Sequence, residues 1–305
     1  MMTNYKRTNI KFLTVLYGMI EGFYCDLTMN KDEALFLDTW LLEIESSVYL
    51  DPLSLGIYNE ARKFTQIFLS FPDGEPQGKI LDELLTALEH LQDKIGEQLD
   101  EAIADCTVRD VNKHSSIIIT NEFQGLCKGL IADGHIAIEE IRCLADWLDE
   151  NAFLQDDPII SKFYSFFEEN DVENLSSNGF ERLKRLLVDF CGSDTEGNAD
   201  GMALGESFFD LVNELDLNGK VVQLTGKFKY GSRKKCSELA ISQGAIVIDD
   251  FRLDLDYLIV GMFNSRDWLQ QSYGKKIMIA KEYQAERNHK VKIISESRWI
   301  EENNA

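Results

Sequence analysis

The sequence predicts a multidomain protein, an all-α duplicated helical region followed by a smaller α/β domain with a four-stranded, mostly parallel sheet. Three observations predict it. The first 216 residues match themselves at an offset of 107. Near residue 217 the apolar pattern changes from helical spacing to short strands alternating with helices. The charge reverses at the same place: residues 217–305 hold ten Lys and five Arg against eleven acidic residues, a balance of +4, whereas the rest of the chain stands at −26. The expected divisions are a helical region over 5–192, with copies at about 5–105 and 112–192, a linker and bridging segment over 193–216, and the α/β domain over 217–305.

Composition narrows the class. With 305 residues, 44% hydrophobic and 10% aromatic, the chain is long enough for several cores and is not disordered. Six cysteines without a C-x-x-C pair speak against a zinc knuckle and a disulfide framework, and a reducing cytoplasm is the expected setting. Lys6, Arg7 and Lys11 before the apolar run 12–20 resemble the start of an export signal. Glu21 interrupts the run and no small-residue cleavage site follows, so Phe12, Leu13, Leu16, Ile20 and Phe23 read as one face of an amphipathic helix. No window approaches the roughly 18 apolar residues of a membrane span; no membrane partner is expected.

The repeat rests on six identities in 20 positions. Gly22, Asp26, Glu33, Leu37, Trp40 and Leu41 fall on Gly129, Asp133, Glu140, Leu144, Trp147 and Leu148. Each copy reads as a helical hairpin in which glycine and Asp end the first helix and the Leu-Trp-Leu set buries one face of the second. Apolar helical stretches follow at 58–69, 80–91, 159–167 and 180–190. Asp133-Gly134 and Glu140 fit the fifth, sixth and twelfth positions of a calcium loop, but Gly129 and Ile131 stand where carboxylates are needed. A capped helix–turn–helix is therefore expected, with no metal. Over about 40 residues these D-G…E hairpins resemble those of tellurite-resistance TerB-like proteins, which implies an all-helical fold and, as a minor reading, a metal-linked stress protein.

In the C-terminal part, 221–224, 245–248, 257–260 and 291–294 read as short buried strands, and 232–243, 275–287 and 296–302 as helices. Gly219-Lys-Val-Val-Gln-Leu-Thr-Gly-Lys-Phe228, Arg233, Gly244, Asp256-Tyr-Leu-Ile-Val-Gly261, Lys276-Ile277, Ala280, Ile293-Ile-Ser-Glu296 and Trp299 resemble, in order, BRCT domains of bacterial NAD-dependent DNA ligases and clamp-loader large subunits. Ala245 and Lys275 depart from the family's usual glycine and serine. The resemblance implies a module that reads phosphate on 5′-phosphorylated DNA ends or phosphoproteins.

The residues support that chemistry independently. Thr225 offers a hydroxyl at a strand end, Gly226 lets a ligand approach the backbone, and Lys276 lies in the first turn of a helix. Lys227, Lys229, Arg233, Lys234 and Lys235 form a basic cluster able to track a backbone. Trp268 and Trp299 read as packing residues. No K-x-D-G, P-loop, G-x-S-x-G or H-E-x-x-H is present, and His90, His114, His135 and His289 lack ligand spacing. The expectation is a non-enzymatic adaptor without cofactor in DNA replication or repair. Its acidic region would recruit a basic partner or restrain DNA contact. A protein–protein scaffold without nucleic acid is the alternative.

Overall fold

A computed structural model describes residues 4–47, 50–71, 76–104, 108–157, 159–191, 208–212, 214–226, 228–261, 275–287 and 290–301. The chain divides near residue 200 into two compact units.

The N-terminal unit is all-helical: α1 (Asn4–Tyr24), α2 (Lys31–Ser47), α3 (Pro52–Leu69), α4 (Lys79–Ala104), α5 (Val108–Leu130), α6 (Ile138–Glu150), α7 (Ser161–Glu169) and α8 (Ser177–Cys191), with short 3₁₀ turns at Ala152–Leu154 and Val172–Asn174. Shifting α1, α2 and α3 by 107 residues lands on α5, α6 and α7, so three helices are used twice. Local chemistry starts them where the pattern requires. Asp51 caps α3 by accepting the Ser54 amide at 2.8 Å, with Pro52 in the first turn. Asn30 and Glu33 form a reciprocal capping box at α2, the Asn30 amide donating to Glu33 Oε2 at 2.7 Å and the Glu33 amide to Asn30 Oδ1 at 3.0 Å. At α6 Ala137 supplies no side-chain cap, and Glu140 Oε2 alone accepts the Ala137 amide, at 2.5 Å.

The glycines read as helix ends lie in the last turns of α1 and α5, and they also seat one helix on the other. Gly22 lies inside α1 and Gly129 inside α5, and each faces the other helix: a Cβ on Gly22 would stand 2.8 Å from the Gly129 Cα, and one on Gly129 2.9 Å from the Gly22 Cα. Gly18 and Gly125 repeat the contact one turn earlier. Glycine at i and i+4 on both helices lets two parallel backbones touch. Around this seam Leu16, Met19, Phe23, Leu37, Trp40, Ile57 and Leu88 build the core of the first copy. Phe123 serves the second, stacked on Trp147 at 4.8 Å and meeting Phe163 edge-on at 4.9 Å.

The C-terminal unit runs β1 (Val221–Thr225), α9 (Arg233–Ser242), β2 (Ile246–Ile248), β3 (Tyr257–Val260), α10 (Lys275–Arg287), β4 (Lys292–Ser295), α11 (Glu296–Glu301). The sheet has the order β2-β1-β3-β4, and all three pairings are parallel, where a mostly parallel sheet was expected. All five residues of β1 are buried, as a central strand covered on both faces must be. Val222 and Leu224 face one side with Cys236, Ala240, Ile259, Ile294 and Trp299. By the pleat, Gln223 and Thr225 face the other. Trp299 packs in the core and donates its indole N–H to Gln243 Oε1 at 2.9 Å.

The segment before β1 belongs to this unit. Phe208 is buried, and Asp210 pairs with β4, its amide donating to the Ile293 carbonyl and its Oδ2 accepting the Ile293 amide at 2.7 Å. Asp210 thus covers the free edge of β4. Residues 193–207 of the stretch read as linker and bridging segment, and Trp268, lie outside the described residues.

Candidate functional site

The phosphate-reading residues were expected at the carboxyl ends of the strands. Thr225 closes β1, is 6% exposed, and accepts the Gly261 amide at its carbonyl, at 2.8 Å. Gly226 follows with φ +84°, a left-handed turn that glycine takes without a Cβ penalty. Arg233 reaches back into this turn: its guanidinium donates to the carbonyls of Leu224 and, at 3.1 Å, Gly226. Its hydrogen bonds hold the strand end in shape. Lys227 lies outside the described residues.

Lys276 stands in the first turn of α10 and donates from Nζ to the Asp249 carbonyl, one residue past β2, at 2.8 Å. The same carbonyl accepts Gln223 Nε2 at 2.7 Å. Gln223 and Thr225 sit two apart on β1, so the Asp249 carbonyl ties Lys276 to the face of the sheet that carries Thr225. The two side chains therefore occupy one face and one edge, Thr225 at the end of β1 and Lys276 at the neighbouring end of β2. Gln223 is fully buried, and its Oε1 has no hydrogen-bond partner. Sequence reasoning passed over it, although a Gln between Val222 and Leu224 in an apolar strand is a buried polar group and so a signal.

The remaining basic residues spread out. Lys235 Nζ lies 4.7 Å from the Tyr230 ring centre, and Lys234 stands 4.0 Å from Glu238. The amides of Lys229 and Tyr230 donate to the buried carboxylate of Glu296, at 2.9 and 2.7 Å. The loop after β1 is thus fastened to the start of α11 through its backbone.

A second cluster lies where the two helical hairpins meet. Asn30 Nδ2 donates to Asp133 Oδ2 at 2.8 Å, joining the copies across their symmetric turns. Glu33 and Glu140 are both buried, and desolvation pushes each carboxyl up to about 8, with Asp26 and Asp133 adding negative charge nearby. Asp133 Oδ1 accepts the His135 amide at 2.8 Å and Asp26 Oδ1 the Thr28 amide at 3.0 Å, as turn caps do. Among the described residues, no group of three or more His, Cys, Asp or Glu side chains is arranged to hold a metal ion. No helix among them is long and apolar enough to cross a membrane.

One expectation is corrected. Cys25 and Cys143 form a disulfide across 118 residues of chain, with Cα atoms 5.7 Å apart, where the cysteine pattern spoke against a disulfide framework and for a reducing setting. Spacing along the chain says nothing about such a pair, because the packing of α6 near the end of α1 creates it. Cys127, Cys191 and Cys236 are buried thiols.

No family model, curated protein or solved structure matches the chain.

Proposed function

We propose that the chain is a non-enzymatic adaptor of DNA replication or repair whose C-terminal unit is a BRCT-type module that docks on phosphorylated DNA ends or a phosphorylated protein. One observation carries the reading. Thr225 and Lys276 share one face and one edge of a parallel sheet, beside a glycine turn and the first turn of α10. A hydroxyl, an open backbone, a helix N-terminus and an ammonium suit a phosphate dianion. The excess of basic residues over 217–305 favours an anionic partner.

A protein–protein scaffold is the second reading, and Arg233 favours it. Its guanidinium is engaged with two backbone carbonyls of its own domain.

Titrating the full chain with a 5′-phosphorylated duplex and its unphosphorylated twin separates the two. Tighter binding of the phosphorylated end, lost in Lys276→Ala, is the expected result. Equal affinities in all four titrations overturn the phosphate reading. Any DNA affinity that ignores salt concentration assigns the unit to the scaffold class.

A further inference from the structure

The helical unit joins its copies at two junctions related by the 107-residue offset, and the junctions differ chemically. Cys25, just after α1, is the counterpart of Ala132, just after α5; Cys143 in α6 is the counterpart of Phe36 in α2. Ala132 and Phe36 are both buried in one apolar core cluster, so that junction is closed by packing. Its counterpart is closed by a covalent bond between two half-buried sulfurs. The other described cysteines are buried, and burial pushes the thiols of Cys127 and Cys236 up, so they are poor nucleophiles.

We propose that Cys25–Cys143 is a reversible thiol–disulfide exchange site, reduced by dithiols, through which redox state sets how tightly the α5–α6 hairpin is held to α1. The chemistry balances. A dithiol's thiolate attacks one sulfur of the pair, forming a mixed disulfide and releasing the other sulfur as a thiolate, which takes up a proton. The dithiol's second sulfur closes onto the first and expels the remaining cysteine, so two electrons and two protons pass to the protein. Reduction opens one junction and leaves the Ala132–Phe36 side packed. The turn after α1 around Cys25 and the stretch of α6 around Cys143 then loosen, while Ala132 and Phe36 at the other junction stay in place. The asymmetry separates this from general unfolding.

The full chain tests it. Alkylation under denaturing, non-reducing conditions should label four of the six cysteines, and all six after dithiothreitol. Reduction should lower Tm by roughly 10 °C, since the bond closes a loop of 118 residues. It should also speed amide exchange over 25–29 and 141–147 about tenfold or more, with 34–38 and 131–134 unchanged. Two variants control for folding. C25A/C143F installs the packing of the other junction and should be indifferent to dithiothreitol. C25S/C143S should match the reduced protein without reductant. Six labelled cysteines in protein equilibrated with oxidised dithiol would overturn the proposal. So would equal exchange over 25–29 and 141–147 in both redox states, or a C25A/C143F chain that still responds to dithiol.

Discussion

Gly18 of α1 and Gly125 of α5 are the same residue in two copies, and each lies against the other helix's backbone. A Cβ on Gly18 would sit 2.1 Å from the Glu122 carbonyl oxygen, and one on Gly125 2.2 Å from the Val15 carbonyl oxygen. Glu122 and Val15 are themselves related by the offset, so the contact is symmetric.

Gly18→Ala and Gly125→Ala should therefore each destabilise the helical unit by about 3 kcal/mol, because backbone cannot move aside as a side chain can. Gly56→Ala is the control. It meets nothing within 4 Å in α3, and should stabilise by about 0.5–1 kcal/mol. Urea midpoints measure all three.

Leu27 is the one described non-glycine residue with positive φ, at +59°, and its side chain is 75% exposed. Its counterpart is Gly134, at +77°. Leu27→Gly removes the left-handed penalty at no packing cost and should stabilise by roughly 0.5–1 kcal/mol after the larger chain entropy of glycine is offset. Gly134→Leu should lose a similar amount. A thermal melt in which Leu27→Gly falls would contradict this.

Glu33 and Glu140 set a pH dependence. From about pH 4.5, where the unfolded carboxyls ionise, up to about 8, the folded chain keeps protons that the unfolded chain has lost. Stability should thus fall as pH rises through this window. Lys11, whose ammonium is lowered to about 7 by burial and by Lys128, works in the opposite sense above pH 7, so the carboxyl slope is read between 4.5 and 7. Glu33→Gln with Glu140→Gln keeps an oxygen for each capping amide and should reduce the slope, the remainder coming from Glu21, whose carboxyl burial raises to about 7. An unchanged slope in the double variant would remove these two groups as its source.

Asp210 holds the edge of β4 and also accepts from Gln284 Nε2, at 2.7 Å. Asp210→Ala leaves the Ile293 amide facing outward and should cost the C-terminal unit about 1–3 kcal/mol and promote self-association. Asp210→Asn keeps an acceptor and should lose less. Thermal melts with light scattering distinguish them.

The periodicity of this chain was enough to place its elements, since burial of one face imposes period 3.6 or 2 wherever a helix or strand forms. Residues 257–260 and 275–287 match β3 and α10 end to end, and the offset of 107 announced two copies of one helical plan. Strand and helix ends elsewhere moved by a few residues because caps such as Asp51 act locally.

What the residues alone fixed was this one-dimensional plan and the reversal of charge between its two parts. Whether Gly22 only ends a helix or also seats one helix on another, and whether Cys25 is a thiol or half of a cystine, was decided by packing. Both depend on residues more than a hundred positions away, and a distance through space leaves no period in a sequence. Arg233 shows the same limit, because only the fold says whether its charge meets a ligand or the carbonyls of Leu224 and Gly226.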